Sequence, residues 1–288
     1  MEAPASSGEV VPEQPRVRLG GMALPNGVLV HGPRNWACAI RTRDGRLELA
    51  SGRKTIRSVD VDGALLRWPA RIAEVFALFP AVRRALPEAE FPFQQGRVLA
   101  ALVGSTVVVR SLRSSRLAPL AQETLGALLA VLPAGVALRG TEVAAYHGAE
   151  HMSIGSYEHG EPRPREHERC GSHMLGPLLA ATVAGNVVAG RVAGTPRGRA
   201  VARSLASVGA IAVAGEAFAW MLRNPAHPAS RVLAWPGRQL QTRLLTAEPT
   251  ALQLEVAEAA LAECLRLETR DGGEEPGARP SGPGGSGR

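Results

Sequence analysis

The sequence contains little cysteine, which argues against a disulfide-stabilised fold. Three cysteines, Cys38, Cys170 and Cys264, lie far apart in 288 residues, and no two of them form a C-x-x-C pair. Such sparse use of cysteine fits a reducing compartment. The sequence also does not predict a secretory signal peptide, because Met1 to Gln14 is rich in Pro, Ser and Glu and has no apolar segment.

Aromatic residues and lysine are scarce as well. Aromatics make up 4% of the chain, and Lys54 is the single lysine, although the formal net charge is +7. The arginines are scattered and are not interleaved with stacking aromatics, so nucleic acid is not a predicted partner, whereas an acidic membrane surface is. A GC-rich bacterial genome would account for arginine replacing lysine. The apolar residues are mainly Ala, Val and Leu, which suit close helix packing in water or in a bilayer.

Long apolar runs are few and short. Val98–Val109 has twelve residues, too few for a straight helix to span a bilayer, and Leu117–Leu138 is interrupted by polar residues and a proline. Met174–Gly190 and Leu205–Leu222 have 17 and 18 residues, the lower limit for a spanning helix. These two runs predict membrane helices, and the alternative is a pair of buried helices in a soluble bundle.

The remaining patterns predict a mainly α fold, a helical integral-membrane protein with a small N-terminal β hairpin or meander. Short apolar strands flank the turn residues Asp44-Gly45, and Asp62 to Leu86 has the spacing of an amphipathic helix broken near Pro80 and Pro87. Thr250 and Gln253 form a capping box that begins a terminal helix. The predicted domains are a disordered N-terminus, a β-rich segment, a helical membrane-associated domain with the metal site, and a disordered tail, at residues 1–16, 17–60, 61–268 and 269–288.

The segment Tyr146–His151 carries the strongest chemical pattern. In a helix, His147, Glu150 and His151 stand at i, i+3 and i+4, so two imidazoles and a carboxylate share one face. Two imidazoles at this spacing can bind one Zn²⁺, and the order His-x-x-Glu-His is that of the inverted zinc-protease motif. In that interpretation Glu150 positions the attacking water as general base. The alternative is two surface histidines beside a helical glutamate.

Two other places offer further ligands. Glu216 is a lone carboxylate in an apolar run, where it needs a proton, a partner or a metal, and it is a predicted third ligand. His167 and Cys170 lie together on a polar loop, where Arg169 favours a partly ionised thiolate. Cys170 is therefore a candidate ligand or nucleophile, with simple packing as the alternative.

Several short motifs together resemble the YqhQ-type bacterial membrane proteins. They run in the family's order from about residue 20 to residue 262. The motifs are Gly20-Gly21-x-Ala23, Gly27-Val28, Gly32-Pro33, Tyr146–His151, His167-x-Arg-Cys-Gly171, Pro236-Gly237, Leu240-Gln241, Thr246-x-Glu248-Pro249 and Gln253–Val256.

The resemblance implies a membrane-embedded, metal-dependent protein whose reaction is undefined. It draws attention to seven residues: His147, Glu150, His151, His167, Cys170, Glu216 and Glu248. Two departures occur, because Asn26 and His31 stand where the family tends to have Glu and Arg. The apolar segments before residue 146 are also shorter and more polar than is usual in the family.

The leading functional hypothesis is a metal-dependent hydrolase of the cell membrane that uses a divalent metal, zinc. His147 and His151 would bind it, with Cys170, Glu216, His167 and Glu248 as further candidate ligands and Glu150 and Cys170 as candidate catalytic groups. A non-enzymatic membrane scaffold with a structural metal or a polar network is the alternative, and a transporter is a third. The substrate and any protein partner are undefined.

The predicted location is the cytoplasmic (inner) membrane, with several passes. Four arginines between the two apolar runs, Arg191, Arg197, Arg199 and Arg203, favour a cytoplasmic link and an external metal loop. The reducing use of cysteine and the family resemblance favour a metal loop on the cytoplasmic side. Arginines on the metal loop also reduce the difference in charge between this loop and the link, so we predict that the metal loop is cytoplasmic.

Overall fold

The computed structural model describes residues 16–61 and 63–273, and it is mainly helical with one small sheet. The predicted disordered N-terminus, apart from Arg16, lies outside the described residues. The strands are β1 Gly20–Leu24, β2 Gly27–His31, β3 Asn35–Arg41 and β4 Leu47–Arg53. The helices are α1 Ala64–Ala85, α2 Gly96–Arg113, α3 Pro119–Ala130, α4 Leu132–Leu138, α5 Glu142–His159, α6 Leu175–Val192, α7 Pro196–Arg223, α8 Pro228–Leu240 and α9 Ala251–Gly273.

The N-terminal sheet is an antiparallel meander in the order β1-β2-β3-β4. Gly45, in the turn between β3 and β4, has a φ of 83°, which a glycine adopts without strain. The predicted hairpin or meander is therefore present, with β1 as an additional strand.

Both faces of this sheet are covered by helices. On one face Ala37 and Ala39 of β3 pack in the same cluster as residues of α5 and α9. On the other face Trp36, Cys38 and Ile40 pack with the C-terminal half of α1. Because both faces of β3 are buried, the strand is a continuous apolar run without polar alternation. Burial raises the pKa of Cys38 to about 12, as expected for a cysteine that only packs.

The single lysine of the chain lies in a buried ionic network beside the sheet. Lys54 pairs with Glu74 of α1, and both side chains are almost completely buried. Lys54 Nζ also donates a hydrogen bond of 2.9 Å to His31 Nδ1, and the Ser58 amide donates to Glu74 Oε2 at 2.7 Å. Burial, reinforced by the charge of Lys54, lowers the pKa of His31 to about 4. The network therefore requires a neutral His31 ring.

This arrangement predicts an acid-sensitive fold. An unfolded histidine binds a proton near pH 6.5, whereas the pKa of the folded His31 is about 4. Acidification from pH 6.5 to pH 4 thus protonates the unfolded chain first, and the linked loss of stability is about 3 kcal/mol. His31→Gln keeps an acceptor for Lys54 and should flatten the pH dependence of chemical unfolding across this interval. An unchanged slope in that variant would contradict the assignment.

Three helical segments among the described residues are long and apolar enough to cross a membrane. They are Pro119–Leu138, which combines α3 and α4, Gly171–Val192, which contains α6, and Pro196–Arg223, which is α7. The two apolar runs predicted as spanning helices lie within the second and third of these segments. The first covers all but two residues of the run Leu117–Leu138, for which the sequence alone did not decide between a membrane helix and a buried soluble helix.

Helix ends differ from the sequence expectation at three places. α1 continues through Pro80, because Leu78, Val82 and Leu86 pack against the sheet and hold the turns on either side of the proline. A Pro-Gly pair is typical of a turn, but Pro236-Gly237 lies inside α8. α9 continues to Gly273 instead of ending at Glu268, since buried Asp271 accepts a hydrogen bond from Asn35 Nδ2 at 3.3 Å. The rest of the predicted tail, from residue 274 onwards, lies outside the described residues.

Candidate metal centre

Helix α5 presents two histidines on one face. His147 and His151 are one turn apart, and their ring centroids are 4.3 Å from each other. His151 is buried and His147 is half-buried. The predicted i, i+4 arrangement of imidazoles therefore exists on a regular helix.

Both imidazole rings are held in place through the same nitrogen. Nδ1 of His147 lies 2.9 Å from the carbonyl oxygen of Leu245, and Nδ1 of His151 lies 2.7 Å from that of Arg165. A carbonyl oxygen only accepts, so each Nδ1 carries the proton and each Nε2 keeps its lone pair. Burial lowers the pKa of His151, which keeps its ring neutral. This is how metal-binding histidines are usually oriented.

Cys170 completes a group of three donors. Its Sγ lies 3.8 Å from His147 Nε2. Among the described residues, one ligand atom each from His147, His151 and Cys170 lie within 4.8 Å of one another, close enough to hold a metal ion. Two nitrogens from a helix thus meet one sulfur from the loop that precedes α6.

Two glycines allow the neighbouring segments to approach α5. A Cβ on Gly148 would lie 2.2 Å from the carbonyl oxygen of Ala247, whose amide donates to Ala144 O at 2.9 Å. A Cβ on Gly155 would lie 3.3 Å from Arg163 Cβ. The first contact brings Leu245 to His147, and the second lets the loop that follows α5 return along the helix towards His151.

A buried glutamine that was not predicted as a site residue fastens the cysteine loop. Gln241, only 1% exposed, begins a π-helical turn, Gln241–Leu245. Its Oε1 accepts from the amide of His167 at 3.0 Å, and its Nε2 donates to His167 O at 3.2 Å and to Ser172 Oγ at 2.7 Å. The same turn supplies the Leu245 carbonyl to His147. π-helical turns often occur at functional sites; the Leu240-Gln241 motif was the available sequence clue.

Gln241→Leu should therefore weaken metal binding without removing a ligand. It leaves the His167 backbone groups and Ser172 without their buried partner, so Cys170 loses its fixed position. Loss of such an outer partner lowers metal affinity by about 10- to 100-fold. Zinc competition with a chelator measures the effect, and Gln239→Leu on α8, whose side chain makes no comparable contact among the described residues, should match the wild type. Equal affinities for the Gln241→Leu variant and the wild type would exclude a positioning role.

Glu150 lies apart from the three donors. A Cβ on Gly21 of β1 would be 2.4 Å from Glu150 Oε1, so this carboxyl group packs against the sheet. Its Oε2 is buried and has no hydrogen-bond partner among the described residues. Burial raises the pKa of Glu150. The predicted general base thus stands beside His147 and His151 in the helix, but its carboxyl group is directed towards β1.

His167 is near the group but is already engaged. Its ring centroid is 5.4 Å from that of His151, while its Nε2 lies 3.0 Å from Glu158 Oε2. Arg169 also donates to Glu158, at 2.7 Å. Burial opposes ionisation of Glu158, but the hydrogen bond from His167 and the charge of Arg169 lower its pKa overall. His167 therefore belongs to a hydrogen-bonded network with Glu158 and Arg169 next to the donors.

Two predicted ligands lie elsewhere. Glu216 of α7 pairs with Arg67 of α1 and accepts from Trp68 Nε1 at 3.0 Å, because α1 packs across the C-terminal part of α7. Glu248 is exposed, on the segment that leads to α9. Neither carboxylate joins the group of His147, His151 and Cys170. The ion-pair partner that Glu216 has among the described residues is Arg67.

Part of the chain matches a protein family. No curated protein and no solved structure matches the chain. The family model matches residues 139–267, which run from just before α5 into α9 and include His147, His151, Cys170 and Gln241. The matched segment covers less than half of the chain and leaves out the sheet and α1 to α4. The part of the chain that builds the candidate metal centre is thus similar to a family described as a protein of unknown function, DUF1385.

Proposed function

We propose that this chain is a bacterial integral-membrane protein, of the YqhQ type that it resembles, with a zinc centre held by His147, His151 and Cys170. The observation that carries the proposal is the convergence of three donor atoms with both histidine Nδ1 atoms already bonded to backbone carbonyls. The alternative of two surface histidines does not fit these positions, because His151 is buried and His147 is half-buried.

The donor geometry fits zinc. Zn–N and Zn–S bonds of about 2.05 and 2.3 Å in a tetrahedron place nitrogen and sulfur about 3.6 Å apart. The observed separation between His147 Nε2 and Cys170 Sγ is 3.8 Å. Two imidazoles and a thiolate also suit zinc better than magnesium or calcium, which prefer oxygen ligands.

Three protein ligands match a catalytic centre rather than a closed structural one. A structural zinc site has four protein ligands, whereas a catalytic site keeps one position open. Bound zinc would supply Lewis-acid activation of a water molecule or a carbonyl group. We therefore favour a metal-dependent hydrolase. The chain's own contribution is to hold the two rings and the thiolate fixed through Gln241, Leu245 and Arg165.

Substitution of Glu150 distinguishes a metal ligand from a general base. Because its carboxyl group lies against Gly21 and outside the donor group, Glu150→Gln should retain wild-type zinc content, measured by mass spectrometry of the purified protein. If the glutamate acts as general base after a local rearrangement, the same variant will lose turnover once a substrate is found. Loss of zinc in Glu150→Gln would instead make this carboxylate a ligand.

The membrane part of the proposal depends on the three apolar helical segments. Large side chains such as Leu120, Val188, Val192 and Leu205 are exposed on them, which is favourable in lipid and costly in water. We place the protein in the cytoplasmic membrane with Cys170 on the cytoplasmic side, where a thiolate stays reduced.

Metal analysis of the full chain, purified in detergent without chelator, tests the proposal. We expect close to one zinc per chain and a protein that stays with the membrane after washing with high salt and alkaline carbonate. Protein without metal, both as purified and after incubation with zinc, would refute the metal centre. Release of the protein by the washes would refute membrane embedding independently.

A scaffold role is the second candidate, and one observation favours it. The Cys170 to His147 contact also fits a weak S–H···N hydrogen bond that ties α5 to the loop before α6 without any metal. In that case the protein contains no zinc, and Cys170→Ser lowers thermal stability in the metal-free protein.

A further inference from the structure

The packing of the sheet on later helices constrains how often the chain crosses the membrane, given the membrane embedding proposed above. Helix α9, which follows all the candidate spans, packs on the sheet, which precedes them. Glu268 Oε1 accepts from the amides of Arg34 and Asn35 at 2.8 and 2.7 Å, and Val256, Ala260 and Cys264 share a core with β2 and β3. The sheet and α9 are therefore on the same side. Three crossings, an odd number, would put them on opposite sides.

An even number of crossings requires one more than the three candidate spans, and the contacts of helix α5 show in which part of the chain it lies. Tyr146 and Ala149 of α5 share the same core as Ala23 of β1, and Gly21 contacts Glu150. The sheet and α5 are thus on one side as well, yet only one candidate span, Pro119–Leu138, lies between them in the chain. A further crossing must occur between the end of β4 at Arg53 and the start of α3 at Pro119.

Helix α1 does not supply this crossing, because its middle and its C-terminal half are attached to the sheet. Glu74 pairs with Lys54 just after β4, and Leu78 and Val82 pack under the sheet. Phe91, which follows α1, belongs to the same cluster. The chain is therefore still on the side of the sheet when it reaches α2.

We infer that α2, Gly96–Arg113, is a fourth membrane-spanning helix whose outer face contacts lipid acyl chains. It packs on α3 and α4, beside the first candidate span. The opposite face carries large apolar side chains that are each between 46% and 62% exposed: Leu99, Leu102, Val103, Val107 and Val108. Its 18 residues extend about 27 Å, close to the 30 Å hydrocarbon core.

The polar residues of α2 are compatible with lipid. Ser105 and Thr106 donate to the carbonyl oxygen of Leu102 at 3.1 and 2.7 Å, and Ser111 donates to that of Val107 at 3.1 Å, so their hydroxyl groups need no water. The arginines lie near the two ends, where long side chains can reach the interface. Arg113 pairs with buried Glu123 at 3.0 Å, and Arg203 of α7 pairs with the same carboxylate. These two ion pairs join α2, α3 and α7 at the C-terminal end of α2.

Cysteine labelling of the full chain tests the four-span arrangement. Single exposed positions are Arg116→Cys after α2, Gly194→Cys between α6 and α7, Arg43→Cys beside β3 and Ala262→Cys on α9. A membrane-impermeant maleimide is added to right-side-out and inside-out vesicles, and the unsubstituted chain gives the background. We expect positions 116 and 194 to be labelled from one side and positions 43 and 262 from the other. Val103→Cys should be labelled only after detergent is added.

Two other labelling patterns would contradict the inference, and they distinguish an error about α2 from an error about membrane embedding. Labelling of positions 116 and 43 from the same side, or labelling of position 103 in intact vesicles, would overturn the assignment of α2 as a span while leaving the protein in the membrane. Labelling of all positions in both vesicle types, from a protein that alkaline carbonate removes, would overturn membrane embedding itself and this inference with it.

Discussion

Replacing His151 with alanine is expected to remove zinc from the purified protein and to lower zinc affinity by more than about 100-fold. His151 is one of three converging donors, and its ring is neutral and fixed by the Arg165 carbonyl at 2.7 Å. Loss of an outer partner alone lowers affinity by about 10- to 100-fold, so loss of a direct ligand should have a larger effect. Mass spectrometry gives the zinc content, and chelator competition gives the affinity.

His159→Ala is the matched control for this change. His159 lies on the same helix and its Nδ1 contacts Gly155 O at 2.9 Å, but it is exposed and is not part of the donor group. It should keep full zinc content. Equal zinc loss in both variants would mean that the effect comes from a disturbed helix α5, and retention of zinc in His151→Ala would exclude this histidine as a ligand.

Gly148→Ala is expected to destabilise the fold by about 2 kcal/mol or more and to weaken zinc binding at the same time. The added Cβ would lie 2.2 Å from Ala247 O, a backbone atom that cannot move away freely. Separation of the two segments breaks the Ala247 to Ala144 hydrogen bond and withdraws the Leu245 carbonyl from His147. Thermal unfolding in detergent and zinc titration measure the two effects.

The same substitution at Gly209 provides the comparison. Gly209 lies in α7, and a Cβ added there would meet no atom of another segment within 4 Å in the described part of the chain. Alanine should therefore leave stability unchanged or raise it by up to about 1 kcal/mol. A Gly148→Ala protein as stable as Gly209→Ala would show that Ala247 does not press closely on α5.

The sequence predicted the local part of the site well, because helical spacing alone brings residues i and i+4 together. His147 and His151 therefore meet as expected, and the capping box of Thr250 and Gln253 is present, with the Gln253 amide donating to Thr250 Oγ1 at 3.3 Å. Cys170 was a candidate because it lies with His167 on a polar loop next to Arg169, and the fold brings it to His147.

Long-range geometry was not predictable from the same patterns. An isolated carboxylate in an apolar helix needs a partner, which made Glu216 a candidate ligand, but spacing could not show that Arg67 supplies that partner. Gln241 was missed as a site residue, since a buried glutamine has no distinctive pattern in sequence. The twelve-residue apolar run in α2 is too short by itself to indicate a span; the crossing follows only from the contacts among the sheet, α5 and α9.

The most direct test of the metal centre is the absorption spectrum of the protein loaded with Co²⁺ in place of zinc. We expect a thiolate-to-cobalt charge-transfer band in the wild type, its loss in Cys170→Ser, and its retention in His159→Ala. A spectrum without the charge-transfer band in a folded wild-type protein that binds cobalt would contradict ligation by Cys170, and a wild-type protein that binds no cobalt at all would contradict the centre itself.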